Sequence, residues 1–194
     1  WNDDFGFYSG SGLPTSSYGE QTVNINYNSL AVEGGMNLPT GSSITLYSQT
    51  YNFSDIGPLT GSNSTINING GSFRITDKNS NLISGTINVN NAYLELVKIT
   101  NEKVVNDNNI IVSAGGGLIT SNMFSTDVKT KFKNLTLGRN ATSLNKSSFS
   151  IGDGNDKYYG TTFIDGNLTF NGLTTVNITD EIFTSYGTLI LFEY

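Results

Sequence analysis

Apolar and polar residues alternate along much of this chain, with the two-residue period of a strand that buries one face. Runs such as Thr65-Ile66-Asn67-Ile68 place β-branched side chains on one side and small polar groups on the other. Helix signals are nearly absent. The predicted class is all-β.

One string recurs. Thr-(Val/Ile)-Asn-(Val/Ile) begins at Thr22, Thr65, Thr86 and Thr175, where composition predicts far less than one chance copy. From Thr65 to Thr86 is 21 residues, from Thr22 to Thr65 is 43, and from Thr86 to Thr175 is 89. These are near multiples of one unit. Weaker copies are Thr45-Leu46-Tyr47, Asn109-Ile110-Ile111-Val112, Asn134-Leu135-Thr136-Leu137 and Thr188-Leu189-Ile190-Leu191. Glycine often precedes the strand, as at Gly41, Gly61, Gly85, Gly166 and Gly187. A unit of roughly 21 residues, opened by a glycine turn and an alternating strand, predicts a right-handed parallel β-helix. About nine coils at ~4.8 Å each would give a rod roughly 40 Å long. The same strand spacing also fits an antiparallel β-sandwich, which stays open at this point.

Two stretches depart from the repeat. Residues 1–20 are rich in Gly and Ser and carry Trp1, Phe5, Phe7, Tyr8 and Tyr18. They read as a cap over the first coil or as an arm donated to a neighbour, leaving 21–194 as a single β-rich domain. Val97 to Asn109 holds Lys98, Glu102, Lys103 and Asp107 and reads as an extruded loop.

Composition narrows the function classes. Asn, Ser and Thr number 26, 22 and 23, over a third of the 194 residues, while charged residues make up only 13%. The chain has no Cys and no His, so an exported protein of this kind is held by its core and its ladders rather than by disulfides. This fits an extracellular, cell-surface location. The net charge is −6 with only Arg74 and Arg139 as arginines, which argues against nucleic-acid binding. No run of 18 apolar residues exists, so no transmembrane helix is expected.

Without His or Cys, a Ser-His-Asp site, a Cys-His site and a Cys/His zinc site are all excluded. An enzyme would need paired carboxylates acting on glycans, drawn from Asp153, Asp156, Asp165, Asp180 and Glu181. Such residues serve equally as turn formers or solvated surface, and the expectation is no enzyme. Gly152-Asp153-Gly154-Asn155-Asp156-Lys157-Tyr158 fits one unit of a calcium roll, with Asp153, Asn155 and Asp156 as Ca²⁺ ligands. That unit works in tandem copies and only one is present, so no cofactor is expected beyond this Ca²⁺ candidate. Ala114-Gly115-Gly116-Gly117 reads as a tight turn, since no Lys-Ser/Thr follows. Lys129, Lys131 and Lys133 alternate with Val128, Thr130 and Phe132, which predicts a basic stripe on one strand's outer face. Asn-x-Ser/Thr sequons occur at Asn52, Asn63, Asn134, Asn140, Asn145, Asn167 and Asn177. In a source that N-glycosylates its surface, the exposed ones become acceptors, and Asn167 and Asn177 must face outward to qualify.

The C-terminal third resembles the passenger domains of vacuolating-cytotoxin-like autotransporters. The carrying residues run from Phe132-Lys133-Asn134-Leu135-Thr136-Leu137-Gly138-Arg139-Asn140-Ala141 through Gly166-Asn167-Leu168-Thr169-Phe170-Asn171 to Tyr186-Gly187-Thr188-Leu189-Ile190-Leu191-Phe192. These are repeat signatures over about sixty residues. The resemblance implies a right-handed β-helix displayed for adhesion, toxin delivery or surface coating, with glycans among its partners. A second expectation is a pilus-like filament subunit joined by donated strands, with Trp1, Phe5, Phe7, Tyr8, Leu189 and Leu191 at the joint between copies. A glycan-active β-helix enzyme is the third.

Overall fold

The structure, a computed structural model, describes residues 20–25, 36–37, 40–41, 43–48, 53–56, 59–76, 83–98, 108–122, 130–151, 162–178 and 192–193. All regular elements among them are β-strands. One sheet stacks β1 (Glu20–Ile25), β3 (Ser43–Ser48), β5 (Leu59–Asn69), β7 (Ile83–Asn90), β9 (Asn108–Ser113), β12 (Asn134–Arg139) and β15 (Leu168–Phe170) in that order, with β2 (Met36–Asn37) beside the start of β5. A second sheet stacks β4 (Phe53–Ile56), β6 (Ser72–Thr76), β8 (Tyr93–Lys98), β10 (Gly117–Asn122), β13 (Ser147–Ile151) and β16 (Thr174–Ile178). A short third sheet holds β11 (Thr130–Phe132), β14 (Thr162–Ile164) and β17 (Phe192–Glu193).

Every described pairing is parallel. The chain is a parallel β-solenoid, and the antiparallel sandwich is excluded. From β3 to β10 successive strands alternate between the first and second sheets, and β11, β14 and β17 then add a third side, so each strand's partner lies one full coil away. Parallel pairing demands such a crossover, whereas a hairpin turn would reverse direction.

The alternating pattern dictates what faces inward. On the first sheet, Leu46, Ile68, Val89, Val112 and Leu137 pair in succession, and Ile66, Ile87, Ile110 and Leu135 form a parallel column. On the second, Phe73, Leu94, Leu118 and Phe149 do the same. All are buried. Each such side chain contributes about 1.5–3 kcal/mol through burial, so the columns supply most of the driving force.

The first sheet turns into the second through short corners that need left-handed backbone. Gly70 and Gly71 have φ of 91° and 78°, Asn91 has 48° and Gly115 has 68°. Asn and Gly tolerate this region where other residues do not. Ala114-Gly115-Gly116 is thus the tight turn expected from sequence, with Gly117 opening β10.

The repeat differs from expectation in two ways. In register, Glu20 pairs with Ser43 and Ser43 with Thr65, so the Thr22 string is two residues out of step with the Thr65 and Thr86 strings, which align directly. Thr175 lies on β16 in the second sheet, so its spacing from Thr86 does not count coils. Coil length also grows: Thr65 pairs 21 residues on with Thr86, Asn109 pairs 25 on with Asn134, and Leu135 pairs 33 on with Leu168. The first sheet therefore has seven stacked strands among the described residues where nine were expected. They span about 29 Å at ~4.8 Å per step.

Candidate functional site

The outer surface carries the polar chemistry. Asn88 Nδ2 donates to Asn67 Oδ1 at 2.9 Å, Asn90 Nδ2 to Asn69 Oδ1 at 2.9 Å, and Asn134 Nδ2 to Asn109 Oδ1 at 2.6 Å. These amide ladders follow from the parallel stack, which places like residues one step apart and lets each amide donate to the next. The Asn69–Asn90 ladder runs beside the corner.

Two tyrosines flank the same corner. Tyr47, near the end of β3, is 40% exposed, and Tyr93, at the start of β8, is 44% exposed. Each ring rests over a glycine one coil further on. A Cβ on Gly70 would lie 2.6 Å from Tyr47 Cε2, and one on Gly117 would lie 2.5 Å from Tyr93 Cδ1. Any other residue at those positions would displace the ring. The residues between them across the corner are Asn69-Gly70-Gly71 and Asn90-Asn91-Ala92, which bear no charge. Asn91 and Asn145 both approach Gly115, where an added Cβ would sit 2.7 Å and 2.9 Å from their Oδ1 atoms. Sequence reasoning did not single out either tyrosine. The signal was there: in each case a glycine follows the tyrosine by one coil, 23 or 24 residues later.

The second sheet carries a buried charge. Glu95 is 1% exposed, and its Oε2 accepts from Arg74 Nε at 2.6 Å. The two residues are register partners, and Asp55 pairs with Arg74 on the other side.

The sequons separate by environment. Asn63 is exposed at a bulge in β5, and Asn140, Asn145 and Asn167 are exposed at turns or bends around β12 and β15. Asn177 faces outward, as the expectation required, but its Nδ2 donates to Ser150 Oγ at 3.1 Å. Asn134 is half-buried; its Nδ2 is held by the amide ladder and its Oδ1 accepts from the Asn167 backbone N at 2.8 Å. Asn52 lies outside the described residues.

Several other expectations also fall outside them: the calcium set Asp153, Asn155 and Asp156, the acids Asp180 and Glu181, and the terminal residues Trp1, Phe5, Phe7, Tyr8, Leu189 and Leu191. Asp165 is exposed at a bend after β14. Among the described residues no three His, Cys, Asp or Glu side chains converge on a metal-sized space. Of the basic stripe, Lys129 lies outside the described residues, Lys131 is on β11, which ends at Phe132, and Lys133 sits at the bend before β12. Of the expected loop, Val97 and Lys98 belong to β8 and Asn108 and Asn109 to β9, while residues 99–107 lie outside the described residues. No helix among the described residues is long and apolar enough to cross a membrane. Comparison of the chain with family models, curated proteins and solved structures returns no match.

Proposed function

We propose that the chain is a non-enzymatic structural or adhesive module displayed at a cell surface, in the manner of the autotransporter passengers its C-terminal third resembles. The observation that supports this most is the uninterrupted parallel stack with neutral amide ladders on its outside. Such a stack is a stiff, extended scaffold whose outer positions are free to vary without touching the core. Antibody raised against the folded chain should label intact cells of the source organism. Labelling that needs permeabilised cells would overturn the display reading.

A second reading has its own observation. At the last described step of both long sheets, Phe170, Leu173 and Val176 are exposed, although Phe170 and Val176 continue the buried columns of Leu137 and Phe149. Apolar side chains exposed together at this step suit contact with another copy, the self-association expected of a filament subunit. Sedimentation velocity across a hundredfold range of concentration tests it, and a monomer throughout would remove it.

A further inference from the structure

We propose that the corner flanked by Tyr47 and Tyr93 is a binding platform for a neutral polysaccharide. This rests on the adhesive reading above and supplies its ligand class.

The geometry comes from the stack. Tyr47 lies on the second step of the first sheet, and Tyr93 follows the strand on the fourth. Two steps correspond to about 9.6 Å along the axis, close to the length of one disaccharide unit. One side of each ring lies against a glycine, and Tyr47 and Tyr93 are 40% and 44% exposed. Shielding of a strand glycine by a neighbouring aromatic explains the supported side. It does not explain why both rings border the same corner with so much of their surface in solvent. Between them, Asn90 donates to Asn69, and Asn91 stands exposed at the turn.

This combination matches one chemistry. The apolar C–H face of a pyranose buries against an aromatic ring, which gains dispersion and area burial without needing charge. Sugar hydroxyls both donate and accept, and so do asparagine amides. Other ligands fit poorly. A nucleic acid or an acidic glycan needs a run of cations, and the segments between the two rings contain none, the nearest at this edge being Arg139 and Lys146 beyond Gly115. An extended peptide needs an open strand edge, and these strands are paired on both sides by the coils above and below.

The test is calorimetric titration of the full chain with cellohexaose, maltohexaose, mannohexaose and chitohexaose, with hexagalacturonate as the anionic comparison. At least one neutral hexasaccharide should bind. Tyr47→Ala and Tyr93→Ala should each weaken that binding about tenfold, and the double variant should abolish it. Tyr→Phe at either position should keep it within about threefold. Circular dichroism of each variant confirms the fold. Should Tyr93→Ala unfold by uncovering Gly117, Tyr93→Leu keeps an apolar cover without the flat ring and should lose binding equally. Binding unchanged in folded Leu variants at both positions, preference for hexagalacturonate, or no neutral binding at millimolar ligand would overturn the platform. The outcome is separable from the display reading. A chain that labels intact cells but binds none of the four loses only the platform, whereas one that binds but is not displayed loses only the display.

Discussion

Asn88 marks where an amide ladder runs out. Its Nδ2 reaches Asn67, but its own Oδ1 is buried with no partner. The register explains why: the next residue in that column is Ile111, which has nothing to donate. A buried acceptor left unmade costs about 1–3 kcal/mol. Ile111→Asn should extend the ladder by one step and stabilise the fold by about 1 kcal/mol in urea denaturation, whereas Ile111→Ala should not. Arg74 and Glu95 give the opposite kind of test. Removing the guanidinium leaves a covered carboxylate short of its charge partner, so Arg74→Met should cost about 2 kcal/mol, discounted for the 34% exposure of the arginine. Replacing both, as Arg74→Met with Glu95→Leu, should recover most of that loss. A double-mutant cycle with non-additivity near zero would contradict the pair. Neither effect was legible from the sequence, because both depend on which residue lies one coil away.

At the scale of elements, the corners and the register tell different stories about legibility. Alternation identified the Thr65, Thr86, Asn109 and Asn134 strands and their inward faces correctly, since side-chain direction has a period of two whatever the neighbour. It could not fix register beyond that parity. The Thr22 string slips by two residues, which keeps every side chain on its proper face. The same parity let the Thr175 string count as another coil's copy of the Thr86 string, although it lies on the second sheet. Glycine turns were readable because left-handed backbone demands them. The corner at Asn91 was not, since asparagine serves there as well as glycine. Asn91→Gly should therefore change stability by no more than about 0.5 kcal/mol, while Gly115→Ala, at φ of 68° and against Asn91 and Asn145, should cost about 2 kcal/mol. Thermal melts of the two variants check this; equal losses would mean that backbone conformation is not what the corner selects.

For the whole molecule, the solenoid is a stack of near-equivalent coils, and its stability is a sum of coil and neighbour terms. Removing residues 65–85 takes out one coil and brings Thr86 to the place of its partner Thr65. That chain should fold cooperatively, with a urea m-value about a tenth lower. Removing residues 65–76 takes β6 and nearly half of β5, and should destroy the cooperative transition. The coil was legible in the sequence because the Thr65 and Thr86 strings fall 21 residues apart on aligned strands. The longer C-terminal coil after β12 was not, because the turn from Asn140 to Lys146 between β12 and β13 carries no alternation to mark it.

The lengthening of those coils has a mechanical consequence. Ladder hydrogen bonds between stacked coils run along the stack, so tension applied along it loads the joint between one coil and the next. If the chain peels off coil by coil, each release adds the length of one coil at about 3.5 Å per residue. The 21-residue coil opened at Thr65 would add about 73 Å, and the 33-residue coil opened at Leu135 about 115 Å. A protein of this build absorbs stretch in discrete steps that are largest near β15, so the end with the longest coils yields the most slack for each joint broken.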